Sequence, residues 1–84
     1  MARPKQDPSA VPTRERLLAA GAEEFADEGF SRATLAAIAR RAGISRPSLL
    51  HHFPSKDALY TEVVTATFAD LAQRLLVPLP VAGP

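Results

Sequence analysis

The sequence contains no cysteine. That excludes a disulfide framework, a thiolate zinc site and thiol catalysis, and it fits a reducing compartment. No apolar run approaches the roughly 18 residues that a membrane-spanning helix needs. The opening stretch MARPKQDPSAVP also lacks the apolar core of a secretory signal. Together these absences describe a soluble, cytoplasmic protein. Apolar and polar residues nowhere alternate with the period of a strand, so the expected class is all-α. The glycines are scattered, which leaves no phosphate-cradling loop. His51 and His52 are adjacent and therefore diverge by about 100° on a helix, so they cannot chelate one metal as an i, i+4 pair does. With no thiol and no helpfully spaced carboxylate beside them, neither a metal nor a cofactor is expected. Ser45, Ser48 and Ser55 have no histidine–carboxylate arrangement around them, so no enzyme is expected either.

What is present fits one small domain: 84 residues, a length that buries only about 60% of the surface exposed by the unfolded chain. The net charge of +1 hides an uneven distribution. From Phe30 to Lys56 the charged residues are Arg32, Arg40, Arg41, Arg46 and Lys56, with no acid among them. The remainder carries five bases against nine acids. A polyanion-binding surface has this signature, and so does a solvated face that happens to be basic.

Residues 1–12, with Pro4, Pro8 and Pro12, read as a flexible arm, in which Arg3 and Lys5 could add backbone contacts to a nucleic acid. A first helix is expected from Arg14 to about Glu28, capped by Thr13 and stopped by Gly29 in left-handed geometry, with Leu17, Leu18, Gly21, Ala22 and Phe25 facing inward. Phe30 is then expected to turn back into the core. A second helix starts near Thr34 and buries Leu35, Ile38, Ala39 and Ala42. Gly43 ends it, and Ile44 follows as a buried hinge. Ser45 caps a third helix with Pro47 in its first turn, where the missing N–H has no helical partner anyway. Leu49, Leu50 and Phe53 form its inward stripe, and Pro54 ends it. Ser55 caps a fourth helix from Lys56 to about Leu76, stopped by Pro78 and Pro80. Its stripe of Tyr60, Val64, Phe68, Leu71 and Leu75 is longer than three short helices can cover. The second half is expected to dock against a further domain or a second protomer, or else to be an end exposed by truncation.

The second and third helices satisfy the requirements of a helix-turn-helix. Ala39 is small enough for a close crossing, Gly43 permits the sharp turn, and Ile38, Ile44, Leu49 and Phe53 pin the two helices from inside. The third helix is short and begins at a free end, so Arg46, Pro47 and Ser48 can enter a major groove. Arginine bonds guanine bidentately, and serine bonds base edges or phosphate.

The run RERLLAAGAEEFADEGFSRATLAAIARRAGISRPSLLHHFPSKDAL resembles the N-terminal DNA-binding domain of the TetR family of bacterial transcriptional regulators. The resemblance is carried by Phe25, Gly29 and Phe30 in F-x-x-x-G-F, by T-L-x-x-I-A-x-x-A-G-I-S, and by H-F-P-S-K-D-A-L. It implies an all-α three-helix DNA-binding domain over residues 13–64, followed by a longer connector helix. Residues 65–84 would complete that helix, and an effector-binding and dimerisation domain would lie outside this chain. The implied function is sequence-specific binding of an operator in double-stranded DNA, most simply as a repressor. The intact protein would be a homodimer and would sense a small-molecule effector through the missing domain. The resemblance further implies that Arg46, Pro47, Ser48 and His51 read bases, while Thr34, His52 and Lys56 contact phosphates. Leu50 departs from it, because the family usually has a phosphate-contacting tyrosine there. A helical interaction module that uses the fourth helix and leaves the third idle is the competing expectation. Salt dependence separates the two, since phosphate contacts weaken steeply with salt and apolar pairing does not.

Overall fold

Eight of the residues between positions 13 and 76 lie outside helix, and the four helices follow the order read from the sequence: α1 (Thr13–Arg32), α2 (Leu35–Ala42), α3 (Arg46–His52) and α4 (Lys56–Leu76). The computed structural model describes residues 11–76, and among these no strand occurs. The expected arm with Arg3 and Lys5, and the stop at Pro78 and Pro80, lie outside the described residues.

Local chemistry accounts for most helix ends. The Thr34 side chain accepts a bond from Ala37 N–H at 3.1 Å, Ser45 from Ser48 N–H at 3.2 Å, and Ser55 from Ala58 N–H at 3.0 Å. Each thereby satisfies a backbone donor that has no intrahelical partner. At the other end of α2, Gly43 adopts φ 77° and ψ 28°. Its N–H bonds Arg40 O at 3.1 Å and the Ile44 N–H bonds Ala39 O at 3.0 Å, the paired closure of a Schellman motif. A left-handed conformation costs a side-chain-bearing residue about 1–2 kcal/mol. A methyl group at this position would also stand 3.3 Å from an Arg16 guanidinium nitrogen. Gly43→Ala is therefore expected to lower stability by about 1–2 kcal/mol, read as a lower urea midpoint with an unchanged slope.

The first helix differs from expectation at both ends. Thr13 is its first residue, with no side-chain cap before it. At Gly29 the chain takes φ 82° and ψ 163°, a conformation open essentially only to glycine. The axis kinks there, and one further turn follows instead of a stop. The Ala33 N–H closes that turn on Gly29 O at 3.0 Å. Phe30 consequently does not enter the core. It remains 36% exposed and lies on the outer side of Phe25 and Tyr60, with ring centroids 5.9 and 4.9 Å away.

The core takes Leu17 from α1, Ile38 from α2, Leu49 and Phe53 from α3 and its end, and Leu59 from α4, all fully buried. Ala39 and Ala42 are also buried, whereas Ile44 and Leu50 pack against the core only partly covered. Gly21 lets α1 and α4 approach closely, since a methyl there would come within 3.2 Å of Val63 Cγ2. On α4 the inward residues are Leu59 and Val63. The outer stripe continues past the bundle, where Phe68 is 66% and Leu75 63% exposed.

Candidate nucleic-acid interface

The short helix α3 has two unlike sides. Leu49 and Phe53, one turn apart, are buried, while Arg46, Pro47, Ser48, His51 and His52 are all exposed. Helical spacing sets Pro47, Ser48 and His51 opposite the buried pair. The Ser45 hydroxyl donates to Ser48 Oγ at 3.1 Å, which fixes the Ser48 side chain and leaves its own proton to donate outward. Thr34 is exposed at the start of α2, and its hydroxyl proton is likewise left over after capping. Leu50, half-buried against the core, offers no polar group.

The basic run between Phe30 and Lys56 is less free than its composition suggests. Arg41 reaches back to α1, bonding Asp27 at 2.8 Å, Glu24 at 3.1 Å and Glu23 at 3.3 Å. The hydrogen bond to Asp27, opposed by desolvation and helped by Glu24 and Glu23, raises the Arg41 pKa above its ordinary value. A raised pKa stabilises the folded state wherever the group is charged. The guanidinium side of this brace therefore stays charged through the neutral range and loses its proton only in strong alkali. Arg32 pairs with Glu28 at 3.6 Å. Among the described residues, Arg40, Arg46 and Lys56 make no ion pair, so the unneutralised positive charge of this run rests on these three.

Lys56, at the start of α4, is likewise engaged within the protein. Its ammonium donates to the carbonyls of Phe30 at 2.6 Å, Ala33 at 2.9 Å and Ser31 at 3.3 Å. It also stands 4.5 Å from the centroid of the Phe30 ring. All three of its protons thus have acceptors within the protein.

Three supporting residues were not singled out from the sequence. Arg16 bonds the Ala42 carbonyl and so holds the end of α2 beside the turn. Arg14 lies 5.2 Å over the Phe53 ring and pairs with Glu62 at 2.9 Å. Glu24 is 5% exposed and takes Arg41 together with a long 3.4 Å bond from the Thr34 N–H. The last had a legible signal: Glu24 falls seven residues after Leu17, within the apolar stripe, where an acid requires a partner. Among the described residues no cluster of possible metal ligands occurs, and no helix is long and apolar enough to cross a membrane.

Comparison with known proteins agrees with this geometry. A family model described as bacterial regulatory proteins, tetR family, matches residues 17–63. The HTH-type transcriptional regulator UidR of Escherichia coli (strain K12) is 44% identical over 55 residues, covering 66% of this chain and 28% of UidR. The uncharacterized HTH-type transcriptional regulator YdgC of Bacillus subtilis is 42% identical over 55 residues, with the same coverage of 66% and 28%. The HTH-type transcriptional activator FasR of Mycolicibacterium smegmatis is 47% identical over 51 residues, covering 61% of this chain and 23% of FasR. The chain thus spans about a quarter of the length of these curated relatives. A buried helix-turn-helix core, capped as the sequence requires and matched across most of its length, makes this chain a member of the tetR family of bacterial regulatory proteins.

Proposed function

We propose that this chain is the DNA-reading domain of a bacterial transcriptional regulator and that it binds duplex DNA with α3 in the major groove. The observation that carries the proposal is the two-sided α3. Leu49 and Phe53 anchor it in the core, while its first turn, Arg46, Pro47 and Ser48, is exposed, and among the described residues no carboxylate pairs with Arg46. In this reading Arg46, Pro47, Ser48 and His51 meet base edges, and Thr34, His52 and Lys56 hold phosphates and set the register. Residues 13–64 form the binding unit, and α4 leads out of it towards the remainder of a longer regulator. Dimerisation and response to a small-molecule effector belong to that intact protein. A second linked reading head would raise affinity through effective concentration. Occupying an operator blocks transcription most directly, so we read the regulation as repression; the name of FasR shows that activation also occurs among relatives.

The test is selection of bound duplexes from a randomised pool at low salt, followed by a salt series on the enriched sequence. A short enriched motif whose binding weakens by orders of magnitude from low to moderate salt is expected. Absence of enrichment, or binding indifferent to salt, would favour the competing use of Phe68, Leu71 and Leu75 as an apolar pairing surface.

A further inference from the structure

We infer that Glu24 is a positioning residue of the DNA-binding surface: its buried carboxylate ties both ends of α2 to α1 and so fixes where Thr34 stands. The inference rests on the DNA binding proposed above. Among the described residues Glu24 is the one buried charged side chain, 5% exposed. Its Oε1 accepts from Arg41 Nε at 3.1 Å, and its Oε2 accepts from the Thr34 N–H at 3.4 Å. Thr34 is the N-cap of α2, and Arg41 lies in its last turn. The two are about 10 Å apart along a helix axis, yet a single carboxylate serves both.

Such a pair contributes little to stability. The cost of taking a carboxylate out of water largely offsets its attraction to the partner, and apolar replacements of buried pairs are often neutral or stabilising. Arg41 moreover has Asp27 at 2.8 Å and Glu23 at 3.3 Å, both exposed, so losing Glu24 does not leave it unpaired. What Glu24 alone supplies is the link to the Thr34 N–H. The Thr34 hydroxyl accepts from Ala37 N–H and keeps its proton for a phosphate. Its aim depends on the peptide unit that Glu24 holds, and releasing that unit lets the N-cap rotate. The sign of the effect is diagnostic. A phosphate on the Thr34 hydroxyl would lie within about 10 Å of the carboxylate, the Debye length at 0.1 M salt, and the two repel. By charge alone, removing Glu24 would tighten binding; the positioning role predicts that it weakens.

Three variants test this. Glu24→Leu removes both hydrogen bonds and suits the apolar stripe. Glu24→Gln keeps the shape but has one acceptor oxygen for two donors. Glu23→Gln is the control, an exposed acid that pairs with Arg41 and not with Thr34. Affinity of the 84-residue chain for a duplex that it selects is measured without denaturant, with each variant shown to be folded by its urea midpoint. Amide hydrogen exchange at Thr34 is measured in the free protein. Both Glu24 variants are expected to bind more weakly, Glu24→Leu by about tenfold, as for one charge-assisted hydrogen bond. Exchange at Thr34 accelerates in Glu24→Leu, and Glu23→Gln binds no more weakly than the unsubstituted chain. Glu24→Leu binding as tightly as the unsubstituted chain, or more tightly, overturns the inference. So does unchanged exchange at Thr34, or a loss in Glu23→Gln as large as that in Glu24→Leu. Should Glu24→Leu not fold, Glu24→Gln decides by the same criteria. Should the unsubstituted chain bind no duplex, the proposed function fails, and exchange at Thr34 still decides whether Glu24 holds the N-cap.

Discussion

Replacing Phe53 with alanine is expected to destabilise the domain by about 3–5 kcal/mol, a large share of the roughly 5–15 kcal/mol available to a folded domain. Phe53 is almost fully buried, and its extended backbone ends α3 with its N–H on Leu49 O at 2.9 Å. The ring also carries the Arg14 guanidinium, which pairs with Glu62, so one side chain joins α1, α3 and α4. Alanine removes the shared surface and leaves a cavity that three helices cannot all close. Urea denaturation measures the loss. Binding to every duplex should fall together, in proportion to the folded fraction, while preference among sequences stays the same. A midpoint shift worth less than about 1 kcal/mol would contradict the role given to this ring.

Arg46→Ala is expected to act in the opposite manner. It should leave the urea midpoint unchanged, because Arg46 is exposed and, among the described residues, makes no ion pair. Discrimination at one base pair should fall by about 1–3 kcal/mol, roughly tenfold to a hundredfold in relative affinity. The measurement compares the selected duplex with its single-base-pair variants for the two proteins. Loss of affinity that is uniform across all of them would make Arg46 a phosphate contact. The pair of substitutions thus separates the two jobs of α3: Phe53 fixes where the helix lies, and Arg46 acts on what it touches.

Much of this arrangement was legible because it is local. Thr34, Ser45 and Ser55 bond donors three residues ahead, and Gly43 closes its helix through Arg40 and Ala39. Such contacts depend on the chain alone, and the cap residues name them. The buried stripes of α2 and α3 followed from helical spacing in the same way. Gly29 was legible as a positive-φ residue, but the extra turn after it was not, because that turn is held by contacts from elsewhere. Phe30 stays outside for the same reason, since its place is set by Phe25 and by Tyr60 on α4. The largest departures are electrostatic. Arg41 meets Glu24 across 17 positions of sequence, and Lys56 meets Phe30 across 26. A charge count treats both as free cations. Only the packing of α1 against α2 and α4 shows that both are already engaged.

The central claim is that the first turn of α3 reads base edges in the major groove. Methylation interference on the selected duplex tests it most directly, because guanine N7 faces the major groove and adenine N3 the minor groove. Methylation of guanine N7 at one or two positions of the motif is expected to block binding by the unsubstituted chain, with Arg46→Ala indifferent at one of them. Interference confined to adenine N3, or the same N7 pattern for both proteins, would contradict the claim.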